Sequence, residues 1–83
     1  MSHADEVREY CKVHYIDPAR DRGDLAVGIR AGDVHREMNY SNRLPLVCSA
    51  IGAAVFEESL HLKRVAIDGP LSGSSTLFVF ILC

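Results

Sequence analysis

The amino-acid sequence predicts an α+β fold of the winged helix-turn-helix class, with three helices and a small three-stranded antiparallel sheet. Helical periodicity recurs in three separate segments, a short alternating segment follows the first of them, and two β-rich runs fill the last third of the chain. The resulting order is helix, strand, helix, tight turn, longer helix and hairpin. This is the element order of a winged helix, in which the middle helices form the helix-turn-helix and the hairpin tip forms the wing.

Length and composition indicate a single globular domain over residues 1–83. A chain of 83 residues has room for one hydrophobic core, and its 48% apolar and 24% charged residues are typical of globular proteins. The apolar runs are shorter than the roughly 20 residues of a membrane-spanning helix, and the N-terminus lacks the pattern of a secretory signal. The three cysteines form no CxxC pair. We therefore expect a cytoplasmic protein without a membrane segment, disulfide framework or zinc ribbon.

The first segment is predicted to be an amphipathic helix with one apolar stripe. Positions with helical spacing form that stripe: Val7, Tyr10, Cys11, His14 and Tyr15. Ser2 is placed to cap the helix, with Asp5 three residues further on. Pro18 disfavours a helical conformation at Asp17, so we expect a break or a kink there, followed by a solvated turn at residues 20–24.

A short strand and a short helix are predicted next. Leu25, Val27 and Ile29 alternate with other residues, as in a strand with one buried face. Helical spacing returns over residues 31–38, for about two turns. Residues 39–42 then form a tight connection, in which Asn39 adopts the left-handed conformation and Ser41 or Asn42 caps the following helix.

The longer helix is predicted over residues 43–58, with Pro45 in its first turn. Its core stripe comprises Leu44, Val47, Cys48, Ile51, Val55 and Glu58. Its opposite face comprises Asn42, Leu46, Ser49, Ala53 and Phe56, with Arg43 at the side. A groove-binding function requires that this opposite face remain open to solvent.

The last third is predicted to be a hairpin, with strands at residues 63–67 and 76–82. The terminal strand is apolar on both faces, so either it is the central strand of the sheet or a partner covers one face near Cys83. The second alternative implies a homodimer. The loop at residues 69–75 is rich in Gly and Ser but lacks Lys and Arg, so a plain hairpin tip is favoured over a phosphate-binding or minor-groove wing.

Two stretches of the chain carry a resemblance to known proteins. The sequences IRAGDVHREM at residues 29–38 and NRLPLVCSA at residues 42–50 resemble a set of small prokaryotic winged helix-turn-helix proteins. The similarity spans residues 7–82, including DGP at 68–70 and FVF at 78–80. This resemblance implies a winged-helix domain that binds DNA, with no catalytic residues to carry over.

The leading functional hypothesis is binding to double-stranded DNA, as a transcription regulator or an accessory protein. A net charge of −2 argues against a broad basic surface, so any footprint must be local. In a helix-turn-helix the second helix enters the major groove, where Asn42 would contact an adenine edge and Arg43 a guanine or a phosphate. Ser49 would bond either kind of group. Cations predicted to contact phosphates are Arg36, Lys63 and Arg64.

The main alternative is a winged helix that binds protein, because an exposed Leu46 and Phe56 would suit a protein contact. The predicted cations would then be ordinary solvated charges. An enzymatic function is not expected: Cys48 falls on the buried stripe, nothing orients His35 as its base, and no HExxH metal motif occurs. No cofactor, metal ion or small-molecule substrate is indicated.

Overall fold

The computed structural model describes residues 2–69 and 73–82. This part of the chain forms helices α1 (His3–Cys11) and α2 (Asp17–Asp21), joined by a π-helical segment (Lys12–Ile16), then β1 (Ala26–Arg30), α3 (Ala31–Glu37), α4 (Leu44–Gly52), α5 (Ala54–Leu60), β2 (Leu62–Asp68) and β3 (Leu77–Leu82). The predicted α+β class is confirmed. Residues 3–21 form one continuous helical run, so α1 and α2 count as one helix. The described chain then has four helices and not the three expected, because α4 and α5 replace one predicted helix.

A three-stranded antiparallel sheet, in the order β1-β3-β2, supports the helices on one face. The central position of β3 confirms one of the two alternatives for this strand. On the face toward the helices, Ile29, Phe78 and Phe80 are buried. The ring of Phe56 on α5 packs edge-on against Phe80 with their centroids 5.4 Å apart. The core therefore lies between this face of the sheet and the helices.

The chain does not break at Pro18. Asp17 keeps helical angles, and the wide π-helical turn at Lys12–Ile16 immediately precedes it. Proline lacks a backbone donor, and its ring clashes with the carbonyl four residues earlier in an ordinary α-helix. The wider π-helical turn leaves space for the ring and does not require the missing hydrogen bond. Of the two expected alternatives, a break or a kink, the break is wrong for this reason, and the helical run continues to Asp21. The Ser2 cap is confirmed, since its hydroxyl accepts a hydrogen bond from the backbone N–H of Asp5 at 3.2 Å.

The helix predicted over residues 43–58 is two helices. Ala53 has an extended conformation with ψ of 142°, which ends α4 and starts α5 in a new direction. The interruption changes which side chains face the core: Val55, predicted inside, is 52% exposed, whereas Phe56, predicted outside, is fully buried. Both assignments were wrong because they assumed one unbroken helical phase. The guanidinium of Arg64 donates to the Gly52 carbonyl at 2.8 Å, which satisfies the end of α4.

The start of β1 also differs from the prediction. Ile29 is buried and Val27 is half-buried, as alternation requires, but Leu25 is 82% exposed. Leu25 precedes the strand, and its carbonyl accepts a hydrogen bond from Leu82 at 3.0 Å. The interpretation of Leu25 as a core residue is therefore wrong.

Two main-chain hydrogen bonds join α3 to the segment that enters β3. The N–H of Ala31 donates to the Thr76 carbonyl and the N–H of Gly32 to the Ser74 carbonyl, both at 2.9 Å. These are donors that the start of a helix leaves unpaired. The Arg30 side chain adds a bond to the Ser75 carbonyl at 3.0 Å. We call this contact the α3–β3 joint. Part of the loop tip predicted as a wing, residues 70–72, and Cys83 lie outside the described residues.

A second contact fastens the N-terminal helical run to α3. The hydroxyls of Tyr10 and Tyr15 both donate to one carboxylate oxygen of Glu37, at 2.8 and 2.9 Å. Partial burial, followed by the adjacent Glu37 carboxylate, raises the pKa of both phenols above 10.0. The neutral phenol is therefore the form that the folded protein favours.

No helix in residues 2–69 and 73–82 is long and apolar enough to cross a membrane.

Gly32→Ala should destabilise the protein by about 1 to 3 kcal/mol, although alanine is the better helix former. A Cβ at this position would lie 2.4 Å from the Ser74 carbonyl oxygen, so the α3–β3 joint would have to move. The matched control is Gly28→Ala, where the nearest atom is the Leu77 side chain at 3.4 Å. Urea unfolding followed by circular dichroism measures both. Equal stability of the two variants would contradict this account of the joint.

Unfolding free energy should show an alkaline decline that depends on Tyr15. Because folding raises the pKa of this phenol, its contribution is complete below the ordinary value of 10.0 and is lost as the pH rises toward the higher folded value. Urea unfolding of the parent protein and Tyr15→Phe from about pH 8 to about pH 12 measures the difference. We expect the stability difference between the two to shrink with rising pH. A difference that stays constant would show that the Glu37 contact does not affect this phenol.

Candidate nucleic-acid interface

Helices α3 and α4 are joined by residues 38–43, which contain two asparagines in the left-handed conformation. Asn39 has φ of 58° and Asn42 has φ of 55°. Asparagine tolerates this region better than other residues with a Cβ atom. Asn39 ends α3, and its N–H donates to the Arg36 carbonyl at 3.0 Å. The conformation predicted for Asn39 is confirmed.

The start of α4 is capped by a side chain from α3. The backbone N–H of Arg43 donates to Nε2 of His35 at 3.0 Å, and the His35 ring lies edge-on to Tyr40. To accept this bond, the imidazole must be neutral with its hydrogen on Nδ1. The predicted cap by Ser41 or Asn42 is wrong. Asn42 is left-handed, and Arg43, with φ of −123° and ψ of 20°, occupies the cap position without a side-chain bond of its own.

One side of α4 is buried and the other is open. The buried side comprises Val47, Cys48, Ala50 and Ile51. The open side carries Asn42, Pro45 and Ser49, which are exposed, and Leu46, which is half-buried. Arg43 is also exposed at the N-terminal end. We call Asn42, Arg43, Pro45 and Ser49 the α4 stripe. Three of the residues predicted to face a groove are therefore exposed: Ser49 on α4, and Asn42 and Arg43 in the connection directly before it.

Arg36 lies on α3, one residue beyond the His35 that contacts the start of α4. Its side chain is 72% exposed and forms an ion pair with Asp33 at 3.0 Å, one helical turn away. Exposed pairs of this kind contribute little to stability and are weakened by salt. The guanidinium can therefore exchange Asp33 for another anion at little cost.

The last two predicted cations do not join the α4 stripe. Lys63 is exposed and pairs in register with Ile81, on the face of the sheet away from the helices. Arg64 points inward: it bonds the Gly52 carbonyl, and its Nε lies 3.9 Å from a carboxylate oxygen of Glu57. The structure thus leaves Arg36 exposed on α3, the helix before the α4 stripe, and places Lys63 and Arg64 elsewhere.

Sequence reasoning missed three residues that position this surface. His35 caps α4, Gly32 allows Ser74 to approach α3, and Arg30 binds the Ser75 carbonyl. The only signal for Gly32 is a glycine in the first turn of the predicted helix at residues 31–38, where the lack of a side chain allows a close backbone approach. The contacts of His35 and Arg30 join residues 8 and 45 positions apart, and no local pattern reveals them.

The described cysteines lie in the core. Burial raises the pKa of the Cys11 thiol to about 12 and also raises that of Cys48, which is 5% exposed and lies 4.0 Å from the Gly73 carbonyl. The prediction that Cys48 is a core residue is confirmed, and a protonated buried thiol is a poor nucleophile. His35 is committed to the Arg43 N–H. Within residues 2–69 and 73–82, no three His, Cys, Asp or Glu side chains are grouped to hold a metal ion.

A groove of about 280 Å³ lies between α1 and α5. Its apolar wall is formed by Val55, Phe56 and Leu60, and its charged rim includes Arg8 and Lys12. Both cations already have carboxylate partners, Asp5 at 2.8 Å and Asp17 at 2.9 Å, respectively. The groove therefore offers a mixed surface whose charges are internally balanced.

Comparison of the chain with protein-family models, curated proteins and solved structures found no match.

His35→Ala should remove the cap of α4 and cost about 1 kcal/mol of stability, with faster hydrogen exchange at the Arg43 amide. His35→Gln is the matched control, because the end of its amide carries an acceptor close to the position of Nε2. Urea unfolding and amide exchange measured by NMR report the two effects. Arg43 exchange that is unchanged in His35→Ala would show that the imidazole does not hold this N–H.

Proposed function

We propose that this chain is a winged-helix protein that binds double-stranded DNA through the α4 stripe. The observation that carries the proposal is the exposure of Asn42 and Arg43 in the tight turn that leads from α3 into α4, together with the exposure of Ser49 on the open side of α4. In a helix-turn-helix the second helix presents such residues to base edges in the major groove. The sheet order β1-β3-β2 and the preceding helical run are compatible with a winged helix.

Each polar residue of the stripe has a defined chemical role in this proposal. Asn42 supplies the paired donor and acceptor that match an adenine edge, and Arg43 supplies a fork that matches guanine or a phosphate. Ser49 lies about two helical turns further along and bonds a base or a phosphate. Arg36, released from Asp33, neutralises a phosphate beside the groove. The predicted phosphate contacts of Lys63 and Arg64 receive no support from their positions.

The charge and length of the surface set the expected strength of binding. Helix α4 has nine residues, which corresponds to about 14 Å, so it reaches only a few base pairs. With net charge −2 and few cations near the stripe, binding should be modest and should depend weakly on salt, with a slope of about one per phosphate contact. These properties suit a protein that acts locally on DNA or as one part of a larger assembly.

A protein-binding module is the second candidate function. The outward side chains of β3 are apolar, and this observation favours a protein contact. The two functions use opposite sides of the molecule and can coexist.

Arg43→Glu should weaken binding to a random-sequence duplex at low salt by at least about tenfold, because it reverses a charge within the proposed interface. The matched control is Arg22→Glu, which makes the same change in net charge at the end of the helical run, where Arg22 contacts Asp24. Electrophoretic shift and fluorescence anisotropy measure both. An equal loss of affinity in the two variants would show that binding depends only on the overall charge of the protein. No binding by the parent protein at micromolar concentration would contradict the proposal.

A further inference from the structure

The sheet has a second face, which points away from the helices. In β1 and β3, strand alternation assigns its members, because their chain neighbours Ile29, Phe78 and Phe80 are buried on the helix side. In β2 a bulge between Arg64 and Ala66 interrupts the alternation, so the members on that strand are assigned by their pairing with β3. The cross-strand register arranges the outward residues in three rows: Arg30, Leu77 and Asp68; Gly28, Val79 and Ala66; Ala26, Ile81 and Lys63. We call these nine residues the outer face.

The centre of the outer face is apolar and uncovered. Ile81 is 37% exposed, Leu77 and Val79 are half-buried, and Ala26 and Ala66 are exposed. An antiparallel sheet with one solvated face normally places polar side chains on that face. Here every outward residue of the central strand is apolar, and no helix in the described chain covers it. Such a surface is typical of a contact with another protein.

The charges of the outer face stand at its corners, and their arrangement is self-complementary. Arg30 and Asp68 occupy the same end of the sheet on the two edge strands. Lys63 stands at the other end of the strand that carries Asp68, and the fourth corner is the neutral Ala26. Only one corner is acidic, and both of its neighbouring corners along the sheet edges are basic.

We infer that the outer face packs against the same face of a second copy of this chain, forming a two-fold symmetric dimer. A two-fold axis parallel to the strands places Asp68 of each copy opposite Arg30 of the other and Lys63 opposite Ala26. An axis across the strands places Asp68 opposite Lys63 and Arg30 opposite Ala26. In both arrangements every acid meets a base, no like charges meet, and Val79 meets Val79 at the centre.

The size of the outer face sets the strength of this dimer. Three strands about 4.8 Å apart and five residues long span a surface of roughly 15 by 17 Å. This area of about 260 Å² per copy is well below the roughly 800 Å² per partner of a standard interface, so the dimer should be weak and should form only at high concentration. The inference goes beyond the proposed function, because the α4 stripe lies on the other side of the sheet and remains open in the dimer. Failure of DNA binding would leave it unaffected.

Sedimentation equilibrium under reducing conditions tests the dimer, from about 10 µM to about 1 mM protein. We expect the parent mass to rise toward that of a dimer, and Val79→Lys to weaken association at least about tenfold, because two lysines would meet at the centre. The matched control is Val55→Lys, the same change at an exposed valine on α5, which should associate like the parent. A parent protein that stays monomeric over the whole range, or a Val79→Lys variant that associates normally, would overturn the inference.

Charge-exchange variants test the same contact without altering its apolar centre. They can be used even if the Val79→Lys variant does not fold. Asp68→Lys should weaken the dimer, since both of its possible partners are basic. Adding Arg30→Asp, which also removes the bond to the Ser75 carbonyl, should restore association if the axis runs along the strands, provided that circular dichroism shows the parent fold. Adding Lys63→Asp should restore association if the axis runs across the strands. Restoration by either change supports the inference, and restoration by neither overturns it.

Discussion

The α3–β3 joint is the contact on which the rest of the architecture depends. The first free N–H groups of α3 donate to the carbonyls of Thr76 and Ser74, so the start of this helix is satisfied by the same segment that leads into the central strand. Gly32 makes the approach possible, because a Cβ at that position would occupy the space of the Ser74 oxygen. This backbone contact therefore fixes the start of α3 relative to the sheet.

The position of α4 follows from that contact through α3. The His35 ring accepts a hydrogen bond from the N–H of Arg43, directly before α4, and the buried side of α4 packs into the core. The direction of α4 is therefore set by α3 and by apolar packing together. At its other end, Arg64 satisfies the Gly52 carbonyl, and the chain turns at Ala53. The exposed stripe is thus a consequence of how both ends of a short helix are held, and it is fixed before any partner binds.

Local pattern predicted the parts of this molecule that depend on local physics. The strands, the central place of β3, the Ser2 cap and the left-handed Asn39 all follow from alternation or residue conformational preference. The division of residues 43–58 into two helices could not be predicted from local pattern. Gly52 alone does not reveal that its carbonyl binds Arg64, twelve residues later, where α4 ends. For the same reason Val55 and Phe56 were assigned to the wrong sides.

Within the candidate site, too, local pattern predicts some residues and tertiary contacts decide the others. Asn42, Arg43 and Ser49 are all exposed, but only Ser49 lies within α4, so helical periodicity accounts for Ser49 alone. Asn42 and Arg43 lie in the connection before the helix, where Asn42 is left-handed. Arg64 was read as a surface cation because its spacing gives no sign of the Gly52 carbonyl. Lys63 is predicted to contact a phosphate, yet the sheet register places it on the face of the sheet that points away from the helices. Tertiary contacts, and not composition, decide which charged residues can act together.

The most direct test of the account is an NMR titration of the isotope-labelled protein with a duplex about two helical turns long, at fixed protein concentration and low salt. The account predicts that the largest amide shift changes fall on Asn42, Arg43 and Ser49, with a smaller change at Arg36. It is contradicted if the spectrum does not change, or if the changes are confined to the outer face around Gly28 and Val79.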